Sequence, residues 1–570
     1  MPILENERSP AFIFWSVLES WGMPAFYTVF IALAVIPPLF YLRQPLVHDE
    51  MTYLVIGREI ASGGTLYAGI ADHKTPAVYY LTALLWETVP EPYLAGRILI
   101  YAIHAVTALL VYRLGSLWGC PVAAVGSLAY LFGVYAPVFD GFNLMTEPFA
   151  ALFLTAAVLW LFAERRVTDL LAGLSLAFGV LFNQTVLLFG LVIIGWSLAR
   201  LYAAETDLPT IAVRYGRIGT TFLTPLGAVA LFAASQGTLE ETLWYTFLLP
   251  LNQYNPPYFL DGQLLSAASY LPVWLLAGGT ALYVFRSIPS RSFDTRLAFL
   301  SLWLVIMSIP GLQAFHGGHR YIFAMPAAAV LAGVGLRRLF HFLADRPRPF
   351  SRLEWAGLAF AVAVSEAILT LVAANSGYQY LFLLEFGFAL MVVGAIVLSY
   401  VMVRWAGSTG QLDTRQWVAL VAGVFLVLSA LGGTVAVDGV REIRLSGDHI
   451  ETQSASTEEL NEVVDGRFYS LGPPTRYELA YFGEARPART FITPPYGEPL
   501  ADRVVTDLER DEVPYVLVRR QQVVDGHIDP THGYYPDARE PVVMYIETNY
   551  EPVAEHNGYV VYERVPDRRD

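Results

Sequence analysis

The stretch 48–76, HDEMTYLVIGREIASGGTLYAGIADHKTP, decides how the rest of the chain is read. It follows the first apolar run and reads as a polar, charge-bearing loop, opening on the acidic pair Asp49-Glu50 and closing on Lys74. Lys74 is the only lysine in 570 residues, against 35 arginines. An ammonium is a compact, strongly hydrated point charge and a guanidinium a planar fork. One lysine kept beside an acidic pair therefore points to a site.

Working outward, 55% hydrophobic residues, 15% charged residues and a mean hydropathy of +0.47 describe a polytopic membrane protein. Apolar runs long enough to cross the bilayer core of about 30 Å predict spans near 24–42, 94–114, 121–139, 147–163, 169–182, 185–201 and 218–235. Six more fall near 268–286, 297–313, 320–340, 354–374, 379–404 and 416–436, thirteen in all. The segment 76–86, PAVYYLTALLW, is too short to cross and reads as a helix lying at the interface, its aromatic rings at headgroup depth. The first apolar run has mixed charges before it and no small-residue cleavage site, so it is expected to remain as an anchor.

With the N-terminus placed in the cytoplasm, 17 of the 22 cations of residues 1–437 fall inside and five outside: Arg43, Arg58, Lys74, Arg97 and Arg320. That is the bias the positive-inside rule requires. It puts residues 438–570 outside the cell, together with the first external loop, 43–93. The net charge of -14 is concentrated in that tail, where 14 basic residues meet 26 acidic ones. Such an acidic, lysine-free surface suits a salty exterior, as around a halophilic archaeon, because screening weakens the repulsion among carboxylates. The single Cys120 excludes an internal disulfide and a cysteine metal cage.

The tail alternates strand-like and helix-like segments, which predicts a small α/β domain. RFYSLG (467–472), RTFITPP (489–495) and PYVLVRR (514–520) read as strands, RYELAYFG (476–483) and LADRVVTDLERDEV (500–513) as helices. VVMYIETNY (542–550) and GYVVYERV (558–565) read as a closing strand pair. The tail holds no Gly-rich phosphate loop, and no basic face anywhere suits nucleic acid.

The predicted outer face collects Asp49, Glu50, His73 and Lys74, the hinge DGFNLMTEP with Asp140 and Glu147, and HGGHRY at 316–321 with His319, Arg320 and Tyr321. Ionisable groups at membrane depth are costly and usually belong to a site. An acidic pair ahead of Tyr53, a Lys-x-Pro some 25 residues on, a Thr-acid pair opening a later span and an Arg-Tyr entering another together resemble the GT-C glycosyltransferases. Within that superfamily the chain is similar to the dolichyl-phosphate-mannose protein mannosyltransferases and the aminoarabinose transferases (family 39-like). The resemblance covers about residues 1–437.

It implies a GT-C membrane domain with Asp49 as catalytic carboxylate, Glu50 as its neighbour in the pair and a further catalytic candidate, and Glu147, where relatives have Asp, as a group that positions the acceptor or a second candidate base. Lys74 would contact the phosphate of a dolichyl- or polyprenyl-phosphate sugar donor, with Arg320, Tyr321 and Tyr53 near the same headgroup. Aminoarabinose transferases commonly carry Arg before that tyrosine, and Thr52 stands there instead, which puts a lipid A type acceptor in doubt. The oligosaccharyltransferase signature WWDYG is absent. The resemblance thus implies transfer of one sugar, mannose first, to a glycoprotein glycan at the cell surface, with a Ser or Thr hydroxyl as the alternative acceptor. A lipid flippase or transporter is the rival from another class. No cofactor is expected. His48, His73, His316 and His319 with Asp49 offer divalent-metal chemistry, but their spacing matches no local ligand pattern. The sequon Asn183-Gln184-Thr185 sits in a tight turn between spans, where modification is not expected.

Overall fold

The computed structural model describes residues 26–344 and 449–565, less 28–29, 37, 40, 45, 136–138, 140, 253–269, 292, 314–317, 472–474, 484, 490–497, 511–512, 531–535 and 557. The expected spans 354–374, 379–404 and 416–436, and the boundary at 437, lie outside the described residues.

The stretch read as a loop is mostly helix. Helix α1 (His48–Ala61) carries Asp49 and Glu50 in its first turn and Arg58 in its last, each at the favourable end of the helix dipole. Every residue from Glu50 to Gly57 is buried. The run Met51–Ile56 is buried on all sides, and a helix so packed loses the polar face that marks a surface helix. Helix α2 (Ala77–Thr88) covers the short segment 76–86 expected to be helical. It packs on α1 at Gly57, where an added Cβ would lie 2.7 Å from the backbone carbonyl carbon of Thr82. The Thr82 hydroxyl donates to the Tyr53 carbonyl (2.8 Å) and the Trp86 indole to that of Leu54 (2.7 Å), fastening the pair.

The bundle continues with α3 (Pro92–Gly115), α4 (Cys120–Gly133), α5 (Thr146–Ala163), α6 (Arg166–Phe182), α7 (Phe189–Tyr202), α8 (Leu208–Ser235), α9 (Leu271–Ser287), α10 (Thr295–Gln313) and α11 (Met325–Ala344). Among the described residues, five helical segments are long and apolar enough to cross a membrane: 92–118, 146–163, 184–202, 208–235 and 295–312. Tight turns keep neighbours antiparallel. Gly119, at φ +112°, separates α3 from α4, and Glu164 in the left-handed region separates α5 from α6. At that end of the bundle the arginines are tied down. Arg214 and Arg217 of α8 reach the buried Asp169 of α6 at 2.7 and 2.6 Å, and Asp294 accepts from the Trp118 indole at 2.9 Å. At the opposite end lie the first turns of α1 and α5.

The tail folds on a five-stranded mixed sheet of order β2-β1-β3-β7-β6. Strands β1 (Arg467–Ser470), β2 (Arg486–Pro487) and β3 (Tyr515–Arg519) are parallel, while β6 (Tyr550–His556) and β7 (Tyr559–Arg564) form an antiparallel hairpin joined to β3. Strands β4 (Val523–Val524) and β5 (His527–Ile528) make a separate ribbon. Helices α12 (His449–Val463), α13 (Thr475–Phe482), α14 (Glu498–Arg510) and α15 (Pro536–Asn549) complete the domain. Val516, Leu517 and Val518 at the sheet centre are fully buried, as the apolar run PYVLVRR predicts.

One strand reading is corrected, and another lies almost wholly outside the described residues. VVMYIETNY is helical up to Asn549 and buries Val542, Val543 and Ile546, a helical spacing that its β-branched composition disguised. The closing hairpin therefore pairs 550–556 with 559–564, with Gly558 at φ +77° before the second strand. Strand β2 comes just before Arg489, and 490–495 lie outside the described residues. One hydrophobic cluster runs from the bundle into the sheet domain through Leu460, Phe468, Leu479 and Leu517, so the two parts share a core.

Candidate active site

Four separated segments converge where α1 and α5 begin. Asp49 enters on the first turn of α1, half-buried, while the side chain of Glu147 enters on the first turn of α5 and is almost wholly buried (1% exposed). Lys74 arrives from the turn between α1 and α2, also buried. Its ammonium stands 3.8 Å from Glu147 Oε1. That is an ion-pair distance longer than a hydrogen bond, so ammonium donors remain for a further oxygen.

Glu147 is held from two sides. The Asn183 amide donates to Glu147 Oε1 (3.2 Å) and to the Thr146 hydroxyl (2.8 Å), and that hydroxyl donates to Glu147 Oε2 (3.2 Å). Asn183 is itself fixed, because its own Oδ1 accepts from the Thr185 backbone amide (3.0 Å). The sequon asparagine is thus 2% exposed and part of the carboxylate's setting, which makes its modification sterically untenable. Gln184 continues the contact by donating to the His73 carbonyl (3.0 Å).

The electrostatics match this geometry. Burial raises the Asp49 carboxyl, but Lys74, His48 and His319 outweigh it and leave the group below its ordinary value. His319, on the turn Gly318–Phe323, is pulled below the usual imidazole range by burial, with Arg320 and Lys74 adding to the effect and Glu147 and Asp49 opposing it. Tyr53 is buried one turn along from Asp49. Burial and the charges of Asp49, Glu147 and Asp72 push its hydroxyl well above the ordinary value, so it stays a neutral donor. Tyr321 is buried with its ring against Gly311 and near Trp274, and Arg320 is half-buried beside it.

The two members of the acidic pair part company. Glu50 turns away from Asp49 to meet Arg97 of α3, both side chains fully buried, at 2.9 Å (Nε to Oε1) and 2.7 Å (Nη2 to Oε2). Glu50 Oε1 also accepts from the Leu144 backbone amide (3.2 Å), while Arg97 Nη1 donates to the carbonyls of Tyr41, Leu42 and Gln44. This bidentate pair ties α1, α3 and the segment before α5 together. Arg97, counted in the sequence among the five outer cations, is thereby a buried structural partner. Thr52, the residue before Tyr53, is buried and donates to the His48 carbonyl (2.9 Å).

Sequence reading missed Asp72 and Asn183. Asp72 is buried, 2.8 Å from His73 Nδ1, and accepts from the Tyr79 hydroxyl at 2.5 Å. Burial raises its carboxyl, yet His73 and the Tyr79 hydroxyl together bring it below the usual carboxylate range. Nothing local in the sequence separates Asp72 from an ordinary loop acid. Asp140 and His316 lie outside the described residues. Among the described residues, no three His, Cys, Asp or Glu side chains gather as a metal site requires.

A helical bundle with a one-ended acid and lysine cluster and an α/β domain packed upon it is the kind of architecture that the sequence motifs suggested. No protein-family model and no curated protein matches the chain. Solved structures do. The chain is similar to ArnT of Cupriavidus metallidurans, both bound to undecaprenyl phosphate (TM-score 0.59) and in the apo state (TM-score 0.57). In each case identity is 15%, over 95% of this chain and 98% of that one. An oligosaccharyltransferase of Archaeoglobus fulgidus is a looser match, with a TM-score of 0.43 and 12% identity over 95% of this chain and 72% of that one. At these identities the likeness is one of fold.

Proposed function

We propose that the protein is a membrane glycosyltransferase that moves a single sugar, mannose first, from a dolichyl or other polyprenyl phosphate to a glycoprotein glycan on the outer face. The observation that carries this reading is the meeting of half-buried Asp49 with the buried Lys74–Glu147 pair at one end of the bundle. ArnT, whose fold the chain shares, has been crystallised with undecaprenyl phosphate, which supports a lipid-phosphate donor. The outer-face assignment rests on the distribution of arginines.

In the proposed reaction a bond forms between the acceptor oxygen and the anomeric carbon while the bond from that carbon to the phosphate oxygen breaks. The acceptor proton passes to Asp49, the reachable carboxylate. The lipid phosphate departs with its charge met by Lys74 and Arg320. A phosphate is already a good leaving group, so the site needs a cation there rather than a strong acid. A depressed carboxyl is a weak base, so proton transfer comes late, after the sugar carbon has gained positive character. One base facing one leaving group implies inversion at that carbon. Glu147, saturated by Asn183 and Thr146, acts as the counter-ion that aims Lys74.

The test is transfer of radiolabelled mannose from dolichyl-phosphate-mannose to cell-surface acceptor in membranes carrying wild type or Asp49→Asn. Transfer by wild type alone supports the class and the base together. Equal transfer by both removes Asp49 from the role, and no transfer by wild type rejects mannose as the sugar.

A further inference from the structure

Among the described residues, the soluble domain reaches the lysine turn through Arg489, by both its side chain and its backbone. The turn between α1 and α2 is unusual: Tyr67 sits at φ +67°, outside the range a tyrosine prefers, with its backbone amide donating to the Ile70 carbonyl (2.7 Å). Backbone held this way persists only where its surroundings over-determine it. Here the determinants are visible. The Tyr67 hydroxyl donates to the Lys74 carbonyl (2.7 Å), its ring stacks on Tyr245, and the Thr246 hydroxyl lies 3.3 Å away. From the other side Arg489 Nη2 donates to the Tyr67 carbonyl (3.2 Å), and the Ala71 amide donates to the Arg489 carbonyl (2.9 Å). Arg489 is in turn steered by Asp507 of α14 (3.6 Å) and Glu241 of the external segment before Trp244 (3.9 Å). Its side chain is 11% exposed.

We infer that Arg489 is a positioning residue for Lys74, so that the soluble domain forms the back wall of the lipid-phosphate subsite rather than only sheltering it. The inference rests on the reading of Lys74 as the phosphate cation. A planar guanidinium answers a carbonyl and two carboxylates from separate nitrogens spread over its fork, whereas a lysine ammonium would have to meet them from a single nitrogen. A second arginine provides the contrast. Arg58 also joins bundle to domain, donating to the carbonyls of Gly483 (3.1 Å), Tyr481 (3.4 Å) and Ala485 (3.4 Å), and among the described residues its guanidinium makes no hydrogen bond to the lysine turn. General docking would make the two arginines alike; positioning makes them differ.

Because Lys74 is the only lysine, protein grown on 15N-lysine gives one lysine amide resonance that reports this turn directly. The experiment titrates full-length wild type, Arg489→Ala, Arg489→Lys and Arg58→Ala, in nanodiscs, with undecaprenyl phosphate. For Arg489→Ala the expected result is a displaced lysine resonance before any lipid is added and half-saturation raised on the order of tenfold, the scale seen when the support behind a ligand-holding group is removed. Arg489→Lys should fall between, and it carries the test if the alanine variant fails to fold. Arg58→Ala should match wild type in both readouts. A wild-type resonance and half-saturation in both Arg489 variants, or equal weakening in Arg58→Ala, would overturn the positioning role while leaving the donor reading intact. Failure of wild type itself to bind the lipid would reject the donor reading, and the inference with it.

Discussion

Replacing Lys74 by Met keeps length and apolar bulk while deleting the charge, and the structure says how large and of what kind the loss should be. At 3.8 Å from Glu147, opposite charges in a medium of effective dielectric 20 attract by about 4 kcal/mol before desolvation is subtracted. A donor phosphate would share that ammonium, and one charge-assisted hydrogen bond nets about 1.5–3 kcal/mol. Donor half-saturation should therefore rise by about ten- to a hundredfold, measured as transfer of labelled sugar against donor concentration. A second effect separates this role from simple packing. The wild-type Asp49 carboxyl lies below its ordinary value because Lys74, His48 and His319 overcome the upward push of burial. A carboxyl so depressed stays ionised, and the enzyme active, until the pH falls through that lowered value. Without Lys74 burial dominates, the carboxyl rises, and the acid limb of the rate profile must move to higher pH. An unchanged half-saturation together with an unmoved acid limb would refute the assignment of Lys74 as the phosphate cation. The same profile for Lys74→Arg would ask why this one cation is not arginine: a planar fork cannot reproduce the contacts of a compact point charge, so activity should recover only in part.

Three further outcomes are expected. Arg97→Leu strands Glu50 as an uncompensated buried charge and should lower stability by about 3–5 kcal/mol; Arg97→Met combined with Glu50→Leu should regain part of it, both read from thermal unfolding in detergent. Asn183→Asp sets a second carboxyl against Glu147, 3.2 Å away in wild type, and should cut transfer sharply while leaving donor binding less affected; Asn183→Ala should do so more mildly, on the order of tenfold for a lost support of a site group. Gly57→Ala drives a methyl into the Thr82 backbone at 2.7 Å and should cost about 1–3 kcal/mol by overpacking, visible as a lowered unfolding midpoint with the donor half-saturation of the surviving folded fraction unchanged.

Much of the architecture was written in patterns that act locally. Long apolar runs announce spans because lipid offers their backbone no hydrogen-bond partner other than their own helix. The lone lysine, the acidic pair and the Thr-Glu opening of α5 could be read because each is a departure from the composition around it. The buried strand PYVLVRR was legible for the same reason. VVMYIETNY was not, since β-branched residues at helical spacing send two opposite signals and packing on the sheet chose between them. The α1 segment failed differently: a helix enclosed on every side carries no amphipathic stripe, so between charged ends it looked like a loop.

What only the tertiary structure decided is which polar groups face one another. Sequence determined that Asp49 and Glu50 are adjacent, but successive helical residues point about 100° apart. Folding therefore sent Glu50 to Arg97 of α3 and left Asp49 for the cluster with Lys74 and Glu147. It likewise made a site residue of the sequon asparagine, and it laid Arg489 against Tyr67, 422 positions away. Local sequence carries the energies of single helices and turns; the pairing of buried charges is set by which helix ends meet, and that becomes visible only when the whole chain has packed.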